Sequence, residues 1–308
     1  MDALGREPLT RPVQFFTGKG GVGKSSVIAA LAMSAARAGK RPLIVELGAH
    51  TSSAHVFHGP SVGYRPTEVF PAVFATRVQF EPALVDYITS RLKLRFIATL
   101  VARNNSLRKL FMAAPGVDEI VTLHRVSQLA SSEQFSPILV DLESTGHALM
   151  FFDLPAVLEV FLSDGPLRQV LDSATALVRD PQRSAVHVVT VPEPLAVSET
   201  VQLYRDLRDR GDLHLGCLFI NRTPRVWLDA EERRLVRREL ARASTAEPWW
   251  ADLVLAEYLA RRSETSQKCL RGLRRDIDLP TMLLSASEAD GAQIIAELAA
   301  SFDGEEIW

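Results

Sequence analysis

A glycine-rich stretch near the start of the chain, from Gly18 to Ser26, limits the possible folds more than any other feature. It reads Gly-Lys-Gly-Gly-Val-Gly-Lys-Ser-Ser and fits the phosphate-loop pattern G-x-x-x-x-G-K-[ST]. The apolar run at 13–17 predicts a short buried strand, and the Ala, Ile and Leu residues of 26–38 predict a helix that ends before Gly39. Strand, loop and helix in this order predict a site for a phosphate group.

The residue types inside the loop suit a phosphate ligand. Lys24 supplies a cation for β- and γ-phosphates, and Ser25 supplies a hydroxyl for Mg²⁺. Backbone N–H groups can wrap the anion at the positive end of the following helix. We expect those N–H groups to belong to Gly20, Gly21, Val22 and Gly23. A glycine-rich turn without any ligand is the alternative, but the Lys-Ser pair disfavours it.

Apolar runs elsewhere alternate with helical patterns. Further strands are predicted at 42–47, 137–141, 185–191, 213–221 and 279–284, and helices at about 196–210, 229–242, 257–271 and 291–301. This alternation predicts an α/β fold with a doubly wound, mostly parallel sheet. Helical patterns over about 60–135 and 148–180 predict an inserted helical section. We expect 1–12 to form a flexible leader and 13–303 to form a single domain.

Composition limits the partners of this chain. Its 308 residues carry 35 Lys and Arg against 37 Asp and Glu, and the resulting net charge of −2 argues against a nucleic-acid partner. Cys217 and Cys269 form no C-x-x-C pair, so we expect no zinc site within one chain. No apolar run reaches the ~18 residues that span a bilayer. We therefore expect a soluble, cytoplasmic protein without a transmembrane segment.

Asp141, at the end of the predicted strand 137–141, and Gly146, shortly after it, complete the predicted site. Asp141 closes the apolar run Pro137 to Val140, which is where an aspartate can coordinate Mg²⁺ directly or through water. Capping of a helix is the alternative role for such an aspartate. Gly146 follows at a position where a backbone N–H could sense a γ-phosphate. The metal ligands predicted from the sequence are Ser25 and Asp141.

Lys19 and several later motifs carry a family resemblance. A plain phosphate loop does not need Lys19, and K-G-G-x-G-K-[ST] resembles the loop of ParA, MinD, nitrogenase iron protein and the arsenite-pump ATPases. Asp141-x-x-x-x-Gly146-His147 is similar to the D-T-A-P-T-G-H signature of the arsenite-pump and tail-anchored-protein-targeting ATPases. Residues 115–119 and 80–84 are similar to that family's P-G-I-D-E and I-D-P-x-x-A-L. The resemblance covers about residues 13–300.

This resemblance implies a cytosolic, Mg²⁺-dependent ATPase that dimerises and changes shape between nucleotide states. The partner is a second copy or a related ATPase, and the family also handles hydrophobic protein clients. The resemblance implies that Lys19 acts across the dimer interface on the nucleotide of the other subunit, and we expect it to have no function within its own subunit. The same resemblance implies that Ser26 contacts phosphate. It also implies that Gly146 reports the γ-phosphate and that Asn221 contacts adenine.

One departure from the family bears on catalysis. The family positions its attacking water with the aspartate of D-P-A-H, and this chain has Gly48 or Leu47 there, depending on the alignment. Glu46 is then the nearest carboxylate and the remaining candidate for that role. Glu46 could serve if the end of the strand is shifted, but in the ungapped alignment, which places Gly48 at that position, it lies two residues early along the strand, about 6.6 Å away. The sequence therefore predicts slow hydrolysis by the isolated protein.

Three functions remain open at this point. The first is an ATP-driven dimer with a hydrophobic client, and the second is a regulatory or scaffold subunit with little turnover. The third is a positioning ATPase of the ParA or MinD kind, which the short acidic C-terminus disfavours. The apolar residues of 148–180 leave two alternatives, a core helix and a client groove, and their spread around the helix favours the core.

Overall fold

A computed structural model describes residues 9–47, 52–92, 117–142, 148–153, 166–287, 289 and 292–303. Its strands are β1 (Val13–Thr17), β2 (Leu43–Glu46), β3 (Thr67–Phe70), β4 (Val73–Arg77), β5 (Ile138–Asp141), β6 (Ser184–Thr190), β7 (Leu215–Thr223) and β8 (Thr281–Ser285). Its helices are α1 (Lys24–Arg37), α2 (Ser52–Val56), α3 (Phe80–Leu92), α4 (Val117–Ser131), α5 (Pro166–Arg179), α6 (Pro194–Arg210), α7 (Ala230–Leu240), α8 (Trp250–Asp276) and α9 (Ala292–Asp303). Residues 148–153 are also helical.

Within those residues the strands form one eight-stranded sheet in the order β3-β4-β2-β5-β1-β6-β7-β8. Neighbouring strands run parallel except β3 and β4, which are antiparallel. Every residue of β1, β2 and β6 is buried, as expected for parallel strands covered on both faces. The predicted α/β fold with a mostly parallel sheet is confirmed, and the carboxyl ends of β1, β2 and β5 lie side by side.

Helices cover both faces of the sheet, and each face has its own apolar core. Phe16 of β1 lies in the core beneath α1 and α9, together with Phe302. Phe15 lies in the opposite core, where its ring centroid is 6.1 Å from that of Phe151 and 5.7 Å from that of Phe152. Successive side chains of a strand point to opposite faces, so one short segment supports both layers.

The segment 148–180 is partly core, as the sequence favours. Phe151 and Phe152 are buried, whereas Met150 is 57% exposed. The amphipathic helix α5 follows, with Leu171 and Leu177 buried. The stretch 154–165, on which the alternative of a client groove also depends, lies outside the described residues.

One region differs from the prediction. The sequence predicts a helical pattern from about residue 60, but β3 and β4 occupy this position at the edge of the sheet. Pro71 and Ala72 form the turn between them, with Ala72 at φ 61°. The helical spacing begins only with α3, around Leu84. The edge strand β3 and its neighbour β4 give a weak period-two signal, which the stronger helical signal that follows them obscured.

Ordered packing also begins before the predicted end of the leader. Leu9 is 2% exposed and belongs to the core beneath α1. The side-chain amide of Gln14 donates to the backbone oxygen of Leu9 at 2.6 Å. Residues 9–12 are therefore part of the packed structure, because a buried leucine and a buried hydrogen bond hold them there.

Helices α7 and α8 form a hairpin joined by ion pairs. Asp229 and Glu232 form a capping box at the start of α7, and each side chain accepts a backbone N–H from the other end of the box. The guanidinium of Arg237 reaches across to Glu257 at 3.1 Å and Glu264 at 3.0 Å on α8. The arginine-rich face of α7 is thus an ion-pair face, and α8 begins earlier and ends later than the sequence predicts.

Candidate functional site

The glycine-rich loop connects β1 to α1 in a backbone conformation that other residues rarely adopt. Gly18, Gly21 and Gly23 have φ angles of 150°, 85° and 89°. A Cβ atom at Gly18 would lie 2.1 Å from the backbone oxygen of Val189, and one at Gly23 would lie 2.4 Å from Nδ2 of Asn221. Both glycines are therefore required by their conformation and by close neighbours.

Lys24, the first residue of α1, folds back over this loop. Its Nζ donates to the backbone oxygen of Gly18 at 3.1 Å and lies 3.5 Å from that of Lys19. The first turn of α1 contains no acidic residue, so no side chain of that turn offsets the positive end of the helix dipole. Gly20 and Gly21 are exposed, whereas Val22 is buried. The loop thus presents backbone and an ammonium group to the same region.

Ser25 and Asp141 are in contact, although they are 116 positions apart in the sequence. The Ser25 hydroxyl donates to Oδ2 of Asp141 at 2.6 Å. Burial raises the pKa of Asp141, and nearby Glu46 adds to this effect, while the hydrogen bond from Ser25 and the charge of Lys24 oppose it. A hydroxyl and a carboxylate oxygen in contact are the donor types that Mg²⁺ prefers.

Glu46 ends β2 directly opposite Asp141 in the parallel register of β2 and β5. Its Oε1 accepts hydrogen bonds from the backbone N–H groups of Ser52 at 2.6 Å and Ser53 at 2.7 Å, at the start of α2. Its Oε2 is buried without a hydrogen-bond partner among the described residues. One oxygen of Glu46 therefore holds the start of α2, and the other is buried without a hydrogen bond to a described residue.

Lys19 forms an ion pair within its own chain, although the sequence predicts no function for it within one subunit. Its Nζ lies 2.8 Å from Oε1 of Glu199 on α6, and the two side chains are 29% and 39% exposed. Exposed ion pairs contribute about 0–1 kcal/mol, so this contact can open readily. The sequence offered no signal for it, because the two residues are far apart in the chain.

Asn221 lies at the end of β7 and links the loop to a cavity. Its Nδ2 donates to the backbone oxygen of Val22 at 3.0 Å, and its Oδ1 accepts from the N–H of Arg222 at 2.9 Å. The adjacent cavity has a volume of about 360 Å³, which is within the range of small-molecule sites. Its walls are formed by Ser26, Asn221, Arg222, Pro224, Arg225, Trp227, Leu259, Arg262, Ser285, Ala286, Ser287, Ile294 and Leu298.

The structure therefore brings together most of the residues singled out in the sequence. Gly146 lies outside the described residues. So do residues 48–51, which we call the switch segment because they follow β2 at the position of the family's D-P-A-H motif. The positions of both therefore stay predictions. The sequence analysis did not identify Glu199 as the partner of Lys19 or Trp227 as part of the cavity wall. For Trp227, the available signal was a tryptophan shortly after Asn221, in a stretch that contains arginine and proline.

Two further observations concern metals and membranes. Among the described residues, no group of three or more His, Cys, Asp or Glu side chains is arranged to hold a metal ion. In the same part of the chain, no helix is both long enough and apolar enough to cross a bilayer.

Comparison with known proteins relates this site to other chains. The sequence profile of the anion-transporting ATPases matches residues 11–165, which contain the glycine-rich loop and Asp141. The chain is similar to ATPase BagA of Mycobacterium tuberculosis (strain H37Rv), with 26% identity over 227 residues, 70% of this chain and 66% of the relative.

More distant similarities extend to eukaryotes and to other bacteria. ATPase GET3 of Podospora anserina is 23% identical over 263 residues, 73% of this chain and 77% of the relative. The arsenical pump-driving ATPase of Acidiphilium multivorum is 25% identical over 224 residues, 65% of this chain and 37% of the relative. The chain thus spans just under two thirds of the length of the mycobacterial relatives that it matches.

Proposed function

We propose that this chain, which belongs to the anion-transporting ATPase (ArsA) family, binds ATP with Mg²⁺ and works as a dimeric switch on a protein partner. The observation that carries the proposal is the contact between Ser25 and Asp141 beneath a glycine-rich loop that holds Lys24. Cation, hydroxyl and carboxylate occupy the carboxyl edge of parallel strands, where α/β proteins bind nucleotides.

The residues of the loop have separate tasks in this proposal. Lys24 leaves the backbone oxygen of Gly18 and turns its ammonium group toward the β- and γ-phosphates. The N–H groups of Gly20 to Gly23 donate to phosphate oxygens. Asn221 fixes the loop through Val22 and borders the cavity that would take the nucleoside. The positive φ angles of Gly21 and Gly23 are of the kind that lets successive backbone N–H groups surround an anion.

The donor set fits Mg²⁺, because Ser25 and Asp141 already place two oxygen ligand types 2.6 Å apart. When bound, Mg²⁺ neutralises part of the phosphate charge. Asp141 would hold the ion in its carboxylate form, directly or through water. The Ser25 hydroxyl, whose proton now goes to Oδ2 of Asp141, would offer an oxygen lone pair to the ion. Gly146 is proposed to donate its N–H to the γ-phosphate.

We expect nucleotide-dependent dimerisation. Each chain has one phosphate loop, and the proposed reach of Lys19 toward the nucleotide of the other subunit requires that it leave Glu199. Light scattering should give a monomer with ADP and a dimer with Mg²⁺ and a non-hydrolysable ATP analogue. A monomer under both conditions would contradict the proposal.

Two variants separate the role of Lys19 from simple charge effects. Lys19→Ala should weaken dimerisation or turnover while leaving ATP affinity largely intact. Glu199→Gln removes the ion pair and frees Lys19, so it should dimerise at least as readily as the unmodified chain. Loss of ATP affinity in Lys19→Ala would show instead that Lys19 serves its own site.

We expect slow ATP hydrolysis by the isolated protein. The aspartate that positions water in the family is replaced, and Glu46 uses one oxygen to hold α2. A catalytic group misplaced by even ~1 Å can lose about 100-fold in rate. Steady-state turnover of the purified protein measures this directly, and a low rate supports a regulatory or scaffold subunit as the alternative to a client-handling ATPase.

Glu46→Gln is the informative variant for turnover. Its amide keeps an oxygen for the N–H groups of Ser52 and Ser53 but cannot act as a base. A brisk rate that this substitution abolishes would show that Glu46 activates water. A brisk rate that it leaves unchanged would contradict our interpretation of the switch segment. A partner that raises a low rate would support the proposed dependence on a second protein.

A further inference from the structure

We propose that the indole ring of Trp227 stacks on the base of the bound nucleotide and supplies most of the base-dependent part of its affinity. This assignment rests on the proposed function, because it names the residue that holds the nucleoside end of the same ligand. It concerns a residue in the loop after β7, outside the phosphate-binding motif.

The position of Trp227 in the cavity wall is the first observation. The same cavity is bordered by Ser26, which follows Ser25 at the start of α1, and by Asn221, which is bonded to the phosphate loop. The end of the glycine-rich stretch therefore borders the cavity. A ligand with phosphates on Lys24 would extend past Ser26 into the space that Trp227 borders.

The exposure of Trp227 is the second observation. Tryptophan side chains usually bury much of their area in a folded protein, but this one is 56% exposed. Its ring has Cζ of Arg225 at 5.6 Å from the centroid, which is a long cation–π contact. A large aromatic surface thus borders a cavity without being covered by the described core.

The chemistry of the rest of the wall suits a nucleobase. Leu259, Ile294 and Leu298 add apolar surface from α8 and α9, while Ser285 and Ser287 add hydroxyl groups. A flat aromatic group with polar edges matches both kinds of surface. Stacking of a base on an aromatic side chain contributes about 1–3 kcal/mol and tolerates every base, so Trp227 would set affinity rather than discriminate among bases.

Calorimetric titration with Mg-ADP and with Mg-tripolyphosphate tests the assignment, because the second probe carries phosphates and no base. Trp227→Ala should bind ADP about 5- to 150-fold more weakly and tripolyphosphate with unchanged affinity. Trp227→Phe keeps an aromatic face and should recover most of the ADP affinity. Trp249→Ala is the matched control, because Trp249 is 44% exposed at the start of α8 and is not part of this cavity wall.

The outcomes separate this inference from the proposed function. Unchanged ADP affinity in Trp227→Ala would overturn the stacking role alone. An equal loss of ADP and tripolyphosphate in that variant would also overturn it, since the effect would then arise at the phosphates or in folding. If the unmodified chain binds tripolyphosphate but gains nothing from the base and ribose of ADP, the inference fails while the phosphate site stands. If it binds neither probe, the proposed function fails as well.

Discussion

Replacing Lys24 with alanine is expected to weaken the binding of Mg-ATP by about 10- to 150-fold and to leave no productive complex. The substitution removes the ammonium group that now rests on the backbone oxygen of Gly18 and that is proposed to face the β- and γ-phosphates. A charge-assisted hydrogen bond of this kind contributes about 1.5–3 kcal/mol, and more where water is excluded. Calorimetry with a non-hydrolysable ATP analogue measures the change.

Lys40→Ala provides the control for Lys24→Ala. Lys40 follows the other end of α1 and is exposed, so its removal changes the net charge equally without touching the loop. Lys24→Arg keeps the charge but not the compact shape of the ammonium group, and we expect it to recover little of the affinity. Unchanged ATP affinity in Lys24→Ala would contradict the assignment of the phosphate site.

The second large effect is a loss of stability in mild acid caused by His187. This histidine lies fully buried in β6, where its Nδ1 accepts the N–H of Cys217 at 2.9 Å and its ring stacks on Phe16 with centroids 5.0 Å apart. Burial lowers its pKa from 6.5 to about 3, and the nearby charges of His214 and Arg11 act in the same direction. The folded protein therefore keeps this ring neutral.

The direction of the pH dependence follows from this difference. Between pH 6.5 and about 3 the unfolded chain binds a proton at His187 that the folded chain does not bind, so acidification favours unfolding. From pH 7 to 5 this one residue should lower the free energy of unfolding by about 2 kcal/mol. Denaturant titrations at both pH values measure the change.

Substitution at His187 should flatten that pH dependence. His187→Asn keeps a hydrogen-bond acceptor near the N–H of Cys217, and His187→Phe keeps an aromatic ring against Phe16. Both variants lose some stability at pH 7, but both should lose about 2 kcal/mol less than the unmodified chain between pH 7 and 5. His55→Asn is the control, because His55 is exposed. A pH dependence retained in both His187 variants would contradict the prediction.

Local sequence patterns were sufficient for most of the sheet. The runs that became β1, β2, β5, β6 and β7 are mostly buried and bounded by loop residues, so burial on both faces marks them without any knowledge of their neighbours. The edge strand β8 is also recognisable as an apolar run, although only Leu284 in it is buried. The edge strand β3 and its neighbour β4 were missed because they are only partly buried and come directly before a strong helical pattern. Their position depends on pairing with each other and with β2, which no local pattern records.

The sequence alone determined the phosphate loop and the candidates around it. Gly18 and Gly23 are needed for positive φ angles, and Lys24 and Ser25 follow them at fixed spacing, so the arrangement is a property of one continuous segment. Local backbone geometry depends on residues that are neighbours in the sequence. A motif of this kind can therefore be interpreted before the fold is known.

Only the tertiary structure decided which distant side chains complete the site. It paired Lys19 with Glu199, joined Asn221 to Val22 and placed Trp227 beside the cavity. Glu199 is 180 residues from Lys19, and Asn221 is 199 residues from Val22. Contacts over such separations arise from the order of strands in the sheet and from the packing of helices on it, which a one-dimensional pattern does not contain.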